Sequence, residues 1–129
     1  YRIELVKNVA TKQSSAEDTS VLLLDAAGLF KALLDDIQAG LPTGFIAQCF
    51  HDAFVRVLVE MAELVRAVYG ISIVALGGGV FMNRYLTEQA LIQLQERGFT
   101  VAMNKDLPPN DASISYGQAV LGWQAQNKE

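Results

Sequence analysis

The chain has 129 residues, enough for one ordinary domain that buries about two-thirds of its unfolded surface and folds without a disulfide or metal. At 51% hydrophobic and 19% charged it is too apolar for disorder, and its formal charge of −4 argues against nucleic acid or an anionic membrane as main partner, because both need clustered Lys and Arg. No apolar run reaches the roughly 18 residues of a membrane span, no secretory signal opens the chain, and the lone Cys49 excludes an internal disulfide framework, so a reducing, cytoplasmic setting is expected.

Tyr1 in place of an initiator Met fits a domain excised from a longer parent. Residues Tyr1 to Val6 read as a short strand or extended lead-in, and Thr11 to Ser20, with Ser14, Ser15, Glu17, Asp18 and Thr19, as a solvated loop. The first 20 residues are therefore taken as a lead-in to a single domain covering 1–129. Val21 to Leu24 is apolar but short. Asp25 is placed to cap a helix with Leu29, Leu33, Leu34 and Ile37 on one face, ending at Gly40. Thr43 is a candidate N-cap for the next helix, Gly44 to Tyr69. Its apolar residues Ile46, Phe50, Phe54, Leu58, Met61, Leu64, Val65 and Val68 fall at steps of three and four and predict a core stripe.

Gly70 ends that helix, and Ile71 to Leu76 predicts a strand covered on both faces, as in a parallel sheet between helices. Gly77, Gly78 and Gly79 follow at once. A helix from Asn83 to Arg97 then turns Leu86, Ala90 and Leu94 inward and stops at Gly98. Phe99 to Met103 predicts another strand. Pro108 and Pro109 break the chain, and Asp111 opens a last helix through Ile114, Val120, Leu121 and Trp123. The fold class is α/β, an incomplete sheet flanked by helices.

Chemistry concentrates after the two strands. Glycines let the backbone turn sharply and let a ligand come close, and the next helix aims N–H groups at the same space, so the Gly77–Asn83 segment favours an anion such as a phosphate. This is neither the dinucleotide fingerprint nor a P-loop, and a tight turn explains the glycines equally from local sequence. Asp111 is either the N-cap of the last helix or a carboxylate at the mouth of the sheet that binds a cation. Both loops follow strands, so a parallel sheet would bring them to one edge. Cys49 and His51, the single histidine, are expected to be structural. No base stands near Ser72, Ser113 or Ser115, so no catalytic residue is assigned.

Val74-Ala75-Leu76-Gly77-Gly78-Gly79-Val80-Phe81-Met82-Asn83-Arg84-Tyr85-Leu86 resembles a segment of the HypF carbamoyltransferases and their TsaD-like relatives. Leu107-Pro108-Pro109-Asn110-Asp111 with Gly117-Gln118-Ala119 resembles a second HypF signature, and Phe50-His51 matches a Phe-His pair on that family's long helix. The likeness runs from about Asp25 to Trp123 and departs at Ala112-Ser113, where the family commonly has glycines.

The resemblance implies the second lobe of an actin/Hsp70/sugar-kinase-like nucleotide-binding domain. Gly78, Gly79, Val80 and Asn83 would line ATP or carbamoyl adenylate, and Asp111 would be one ligand of a divalent metal, iron or zinc. It further implies transfer of a carbamoyl group from carbamoyl phosphate, through carbamoyl adenylate, to the C-terminal cysteine of a HypE-like partner, toward the cyanide ligands of nickel–iron hydrogenase. The family's histidine ligands belong to the first lobe, and its acylphosphatase, zinc-finger and adenylate-forming domains also lie upstream. This chain alone is therefore expected to be catalytically inactive, with upstream domains of its parent as partners. The alternatives are a TsaD-like threonylcarbamoyl transferase lobe acting on tRNA, which would need a basic surface, and a non-catalytic interaction module of the same fold.

Overall fold

A computed structural model describes residues 1–8 and 21–127. The chain divides into two compact units, Tyr1–Met61 and Ala62–Glu129.

In the first unit, β1 (Glu4–Asn8) pairs antiparallel with β2 (Val21–Asp25), with Glu4 opposite Asp25 and Asn8 opposite Val21. The expected lead-in thus contains a strand, and the polar stretch read as a loop, Thr11 to Ser20, lies outside the described residues. Helix α1 spans Ala27–Gln38. Asp25 does serve its start: its carboxylate accepts the Ala27 N–H at 2.9 Å, although Ala26 occupies the cap position itself. The end is a Schellman turn. Gly40, at φ 71°, donates to the Ile37 carbonyl, and Leu41 donates to that of Asp36.

Helix α2 runs Thr43–Tyr69. Thr43 is not its cap, because the Pro42 carbonyl already accepts the N–H of Ile46 and so closes the first helical turn one residue earlier. The predicted stripe is likewise not the buried face: Phe54, Met61, Leu64, Val65 and Val68 are exposed. Ala53 and Val57, four apart, join Ile3 and Leu29 in the core, with Tyr1, Leu5, Ala26 and Phe50 half-buried around them. Val55 and Val59 are buried as well, on the opposite side of the helix. Period alone locates an apolar face, whereas Ala53 and Val57 are small enough for the helix to lie close to the residues that cover it. On α1, Leu29 is fully buried while Leu34 and Ile37 are exposed.

In the second unit, β3 (Ile73–Leu76) and β4 (Thr100–Met103) form a two-stranded parallel sheet, registered from Ile73 opposite Thr100 to Leu76 opposite Met103. Between them, a 3₁₀ turn (Gly79–Met82) leads into α3 (Arg84–Glu96). Leu86, Ala90 and Leu94 are all buried, as their spacing predicts, together with Leu76 and Phe99. Helix α3 closes on a second Schellman turn, in which Gly98 (φ 77°) donates to Gln95 and Phe99 to Leu94. The Arg66 guanidinium lies 4.0 Å over the Phe99 ring and donates to the Arg97 carbonyl, while Arg97 pairs with Glu63 at 3.0 Å.

Strand β3 is not covered on both faces as expected. Leu76 is buried but Ile73 is 66% exposed, in a sheet of two strands among the described residues. A second 3₁₀ turn (Asp111–Ser113) precedes α4 (Ile114–Gln126), which buries none of its residues. Among the described residues no helix is long and apolar enough to cross a membrane.

Candidate functional site

The parallel pairing brings both loops to one edge, as expected: Gly77 and Asn104 each follow the last registered pair of their strands. The glycine turn and the proline loop touch directly, since the Gly78 N–H donates to the Pro109 carbonyl at 2.6 Å. Gly78 sits at φ 103° and ψ 161°, a region essentially restricted to glycine. That residue is required by the turn, and its N–H is already committed.

Gly77 and Gly79 differ from it. Neither has a positive φ, and a Cβ on Gly77 would meet nothing within 4 Å, while one on Gly79 would make only an ordinary 3.9 Å contact with the Asn110 Cβ. The protein itself does not need glycine at these two positions. The open space above them is what close approach by a ligand would use. The N–H groups of Gly79 and Val80 lie in the first turn of the 3₁₀ segment, where no intrahelical acceptor exists. The four-residue turn and the cap residue Asn83 stand between Gly78 and the true helix, so α3 does not begin at the glycines.

Asn83 is exposed and caps α3, its Oδ1 accepting from the Leu86 N–H at 3.1 Å. Thr87 supports the same corner by donating its hydroxyl to the Phe81 carbonyl at 2.8 Å. Asp111 does not cap the last helix: Ser113 holds the N-cap position of α4 without a side-chain bond, and the 3₁₀ turn before it is capped by Asn110, whose Oδ1 accepts from the Ala112 N–H at 3.1 Å. Ser113 donates its hydroxyl to the Pro108 carbonyl at 2.5 Å and braces the loop from the other side. The Asp111 carboxylate is thereby left exposed, with no hydrogen bond or ion pair among the described residues, while the residue's carbonyl accepts the Ile114 N–H. Neighbouring Asn and Asp are equivalent capping signals, so sequence could not choose between them.

A lone carboxylate can supply one ligand but not a metal site. Among the described residues no group of three or more His, Cys, Asp or Glu could hold an ion, so further ligands must come from elsewhere or from the bound anion. His51 is a structural side chain in the described fold: it is half-buried, its Nδ1 donates to the Ala47 carbonyl at 2.6 Å, and it meets Phe50 edge-on at 5.7 Å. Cys49 is a half-buried free thiol.

Residues 3–118 match the family described as "Carbamoyltransferase, Kae1-like Domain, second subdomain". The chain is 35% identical over 105 residues to the carbamoyltransferase HypF of Synechocystis, covering 81% of this chain but 13% of that protein. A carbamoyltransferase HypF homolog of Cupriavidus necator is 36% identical over 100 residues, 75% of this chain and 25% of the relative. Full-length HypF, solved in a phosphate- and nucleotide-bound form, superposes on the whole chain with a TM-score of 0.78 at 32% identity, and the chain spans 16% of it. HypF from T. kodakarensis superposes on 90% of the chain with a TM-score of 0.64 at 29% identity, and the chain spans 15% of it. The chain belongs to the HypF carbamoyltransferase family, as the second subdomain of its Kae1-like domain.

Proposed function

We propose that this chain is the second, nucleotide-binding lobe of an actin/Hsp70/sugar-kinase-like domain in an ATP-dependent carbamoyltransferase. The observation that carries the reading is the open space over Gly77 and Gly79, at a sheet edge where the unengaged Asp111 carboxylate also stands. A nucleotide-bound relative of the same fold supports it. Gly78 shapes the turn, the Gly79 and Val80 N–H groups offer donors to a phosphate, and Asn83 holds the start of α3 beside them. Asp111 would be one ligand of a divalent metal, iron or zinc, which would neutralise phosphate charge when bound.

The parent's reaction would move a carbamoyl group from carbamoyl phosphate, through carbamoyl adenylate, to the C-terminal cysteine of a HypE-like protein. In the last step the thiolate sulfur attacks the carbamoyl carbon, a C–S bond forms, the C–O bond to AMP breaks, and AMP leaves with the electron pair. This chain contributes binding and orientation of the adenylate, and the attacking thiol comes from the partner.

The test is carbamoyl-phosphate-dependent ATP–pyrophosphate exchange by the full-length parent, followed by transfer to a HypE-like acceptor. Asp111→Ala should keep the exchange and lose transfer by at least about tenfold, the effect of one charge-assisted interaction. Exchange and transfer both unchanged in that variant would leave the chain a non-catalytic module of the same fold.

A further inference from the structure

We propose that Lys105, in the loop after β4, is a phosphate-contacting residue for the metal-complexed nucleotide at this edge, an inference that rests on the nucleotide reading above. Asn104 to Leu107, with Met103, line an open concavity of about 360 Å³. Lys105 stands two residues beyond Met103, as Gly78 stands two beyond its registered partner Leu76. Neighbouring strands lie about 4.8 Å apart, so this loop leaves the sheet beside the glycine turn. It also returns there, because the Pro109 carbonyl accepts the Gly78 N–H.

The other described cations of this unit are committed elsewhere. Arg84 pairs with Glu88 at 2.7 Å, Arg97 pairs with Glu63, and Arg66 covers Phe99. Lys105 alone among them has no hydrogen bond or ion pair. A lysine ammonium on a flexible stem suits a phosphate as a mobile point charge.

The surrounding charge narrows the ligand. Asp106 follows Lys105 directly and Asp111 stands beyond the prolines, so the loop carries one positive and two negative side chains. A bare anion would meet net repulsion from this set, whereas a phosphate chain carrying a divalent cation would satisfy both signs.

Because upstream domains of the parent would bind ATP as well, the measurement must read this segment alone. Full-length parent is photo-crosslinked with 8-azido-ATP in the presence of magnesium, and labelled peptides from this segment are quantified against ATP, AMP and adenosine as competitors. Lys105→Met should weaken competition by ATP about tenfold, weaken AMP less, and leave adenosine unchanged, with Lys105→Arg restoring most of the loss. Equal competition in wild type and Lys105→Met would overturn the role of Lys105 while leaving the nucleotide site standing. A loss as large for adenosine as for ATP would overturn it too, since loop shape and not charge would then be responsible. Absence of label from this segment in the wild type would overturn the nucleotide reading and this inference together.

Discussion

Gly78 combines a glycine-only backbone conformation with a hydrogen bond that joins the two loops of the candidate site. Gly78→Ala should destabilise the chain by about 1–3 kcal/mol, read as a lower urea midpoint. Gly77→Ala, in open space, should leave the midpoint within about 0.5 kcal/mol while reducing nucleotide labelling of the parent's segment. That contrast separates a glycine the fold requires from one the ligand requires. Tyr1 offers a different probe. Partial burial, with the 2.7 Å hydrogen bond to Asp36 and that carboxylate's charge, pushes its phenol up to about 12. The raised folded value means this contribution to stability is full below pH 10 and falls as the phenol ionises toward pH 12. Absorbance titration at 295 nm should show a tyrosine ionising near pH 12, and Asp36→Asn should lower that value.

At the scale of elements, the helices are delimited by local chemistry. Two Schellman turns, at Gly40 and Gly98, and the positive-φ Gly70 end α1, α3 and α2 where the sequence places their glycines. Asn83 starts α3. In the 3₁₀ turn ahead of α4 the capping bond comes from Asn110 and not from Asp111, so Asn110→Ala should cost about 1 kcal/mol in thermal or urea unfolding. Asp111→Ala should leave stability nearly unchanged. If Asp111→Ala were the more destabilising of the two, Asp111 would be a structural residue and its metal role would lose its basis. The α2 stripe shows the reverse limit: steps of three and four identify its apolar residues, but the buried pair Ala53 and Val57 was not among them.

For the whole chain, much apolar surface faces outward. Helix α4 has no charged side chain and no buried residue, and exposes Tyr116, Leu121 and Trp123 at 57%, 66% and 66%. Contiguous apolar patches rarely remain solvated, and the chain spans 13% of the length of its Synechocystis relative. The separate chain is expected to self-associate, with a sedimentation coefficient that rises with concentration and falls back in Leu121→Lys. A concentration-independent monomer would show that α4 is tolerated by water as it stands.

Sequence by itself determined the α/β class, the order of the long elements, the glycine helix ends, the inward face of α3 and the family, because each rests on interactions within a few residues or on a linear motif. It also marked the glycine and proline loops, which the parallel strands bring to one edge. Only the tertiary structure decided that the first residues form a strand paired with β2, and which side of α2 is covered. It also decided that Gly78 spends its N–H on Pro109 and that Asn110 releases Asp111 from capping. Those outcomes depend on partners far apart in the chain or on a contest between adjacent equivalent groups. Neither leaves a periodic signal, so only the positions of the atoms resolve them.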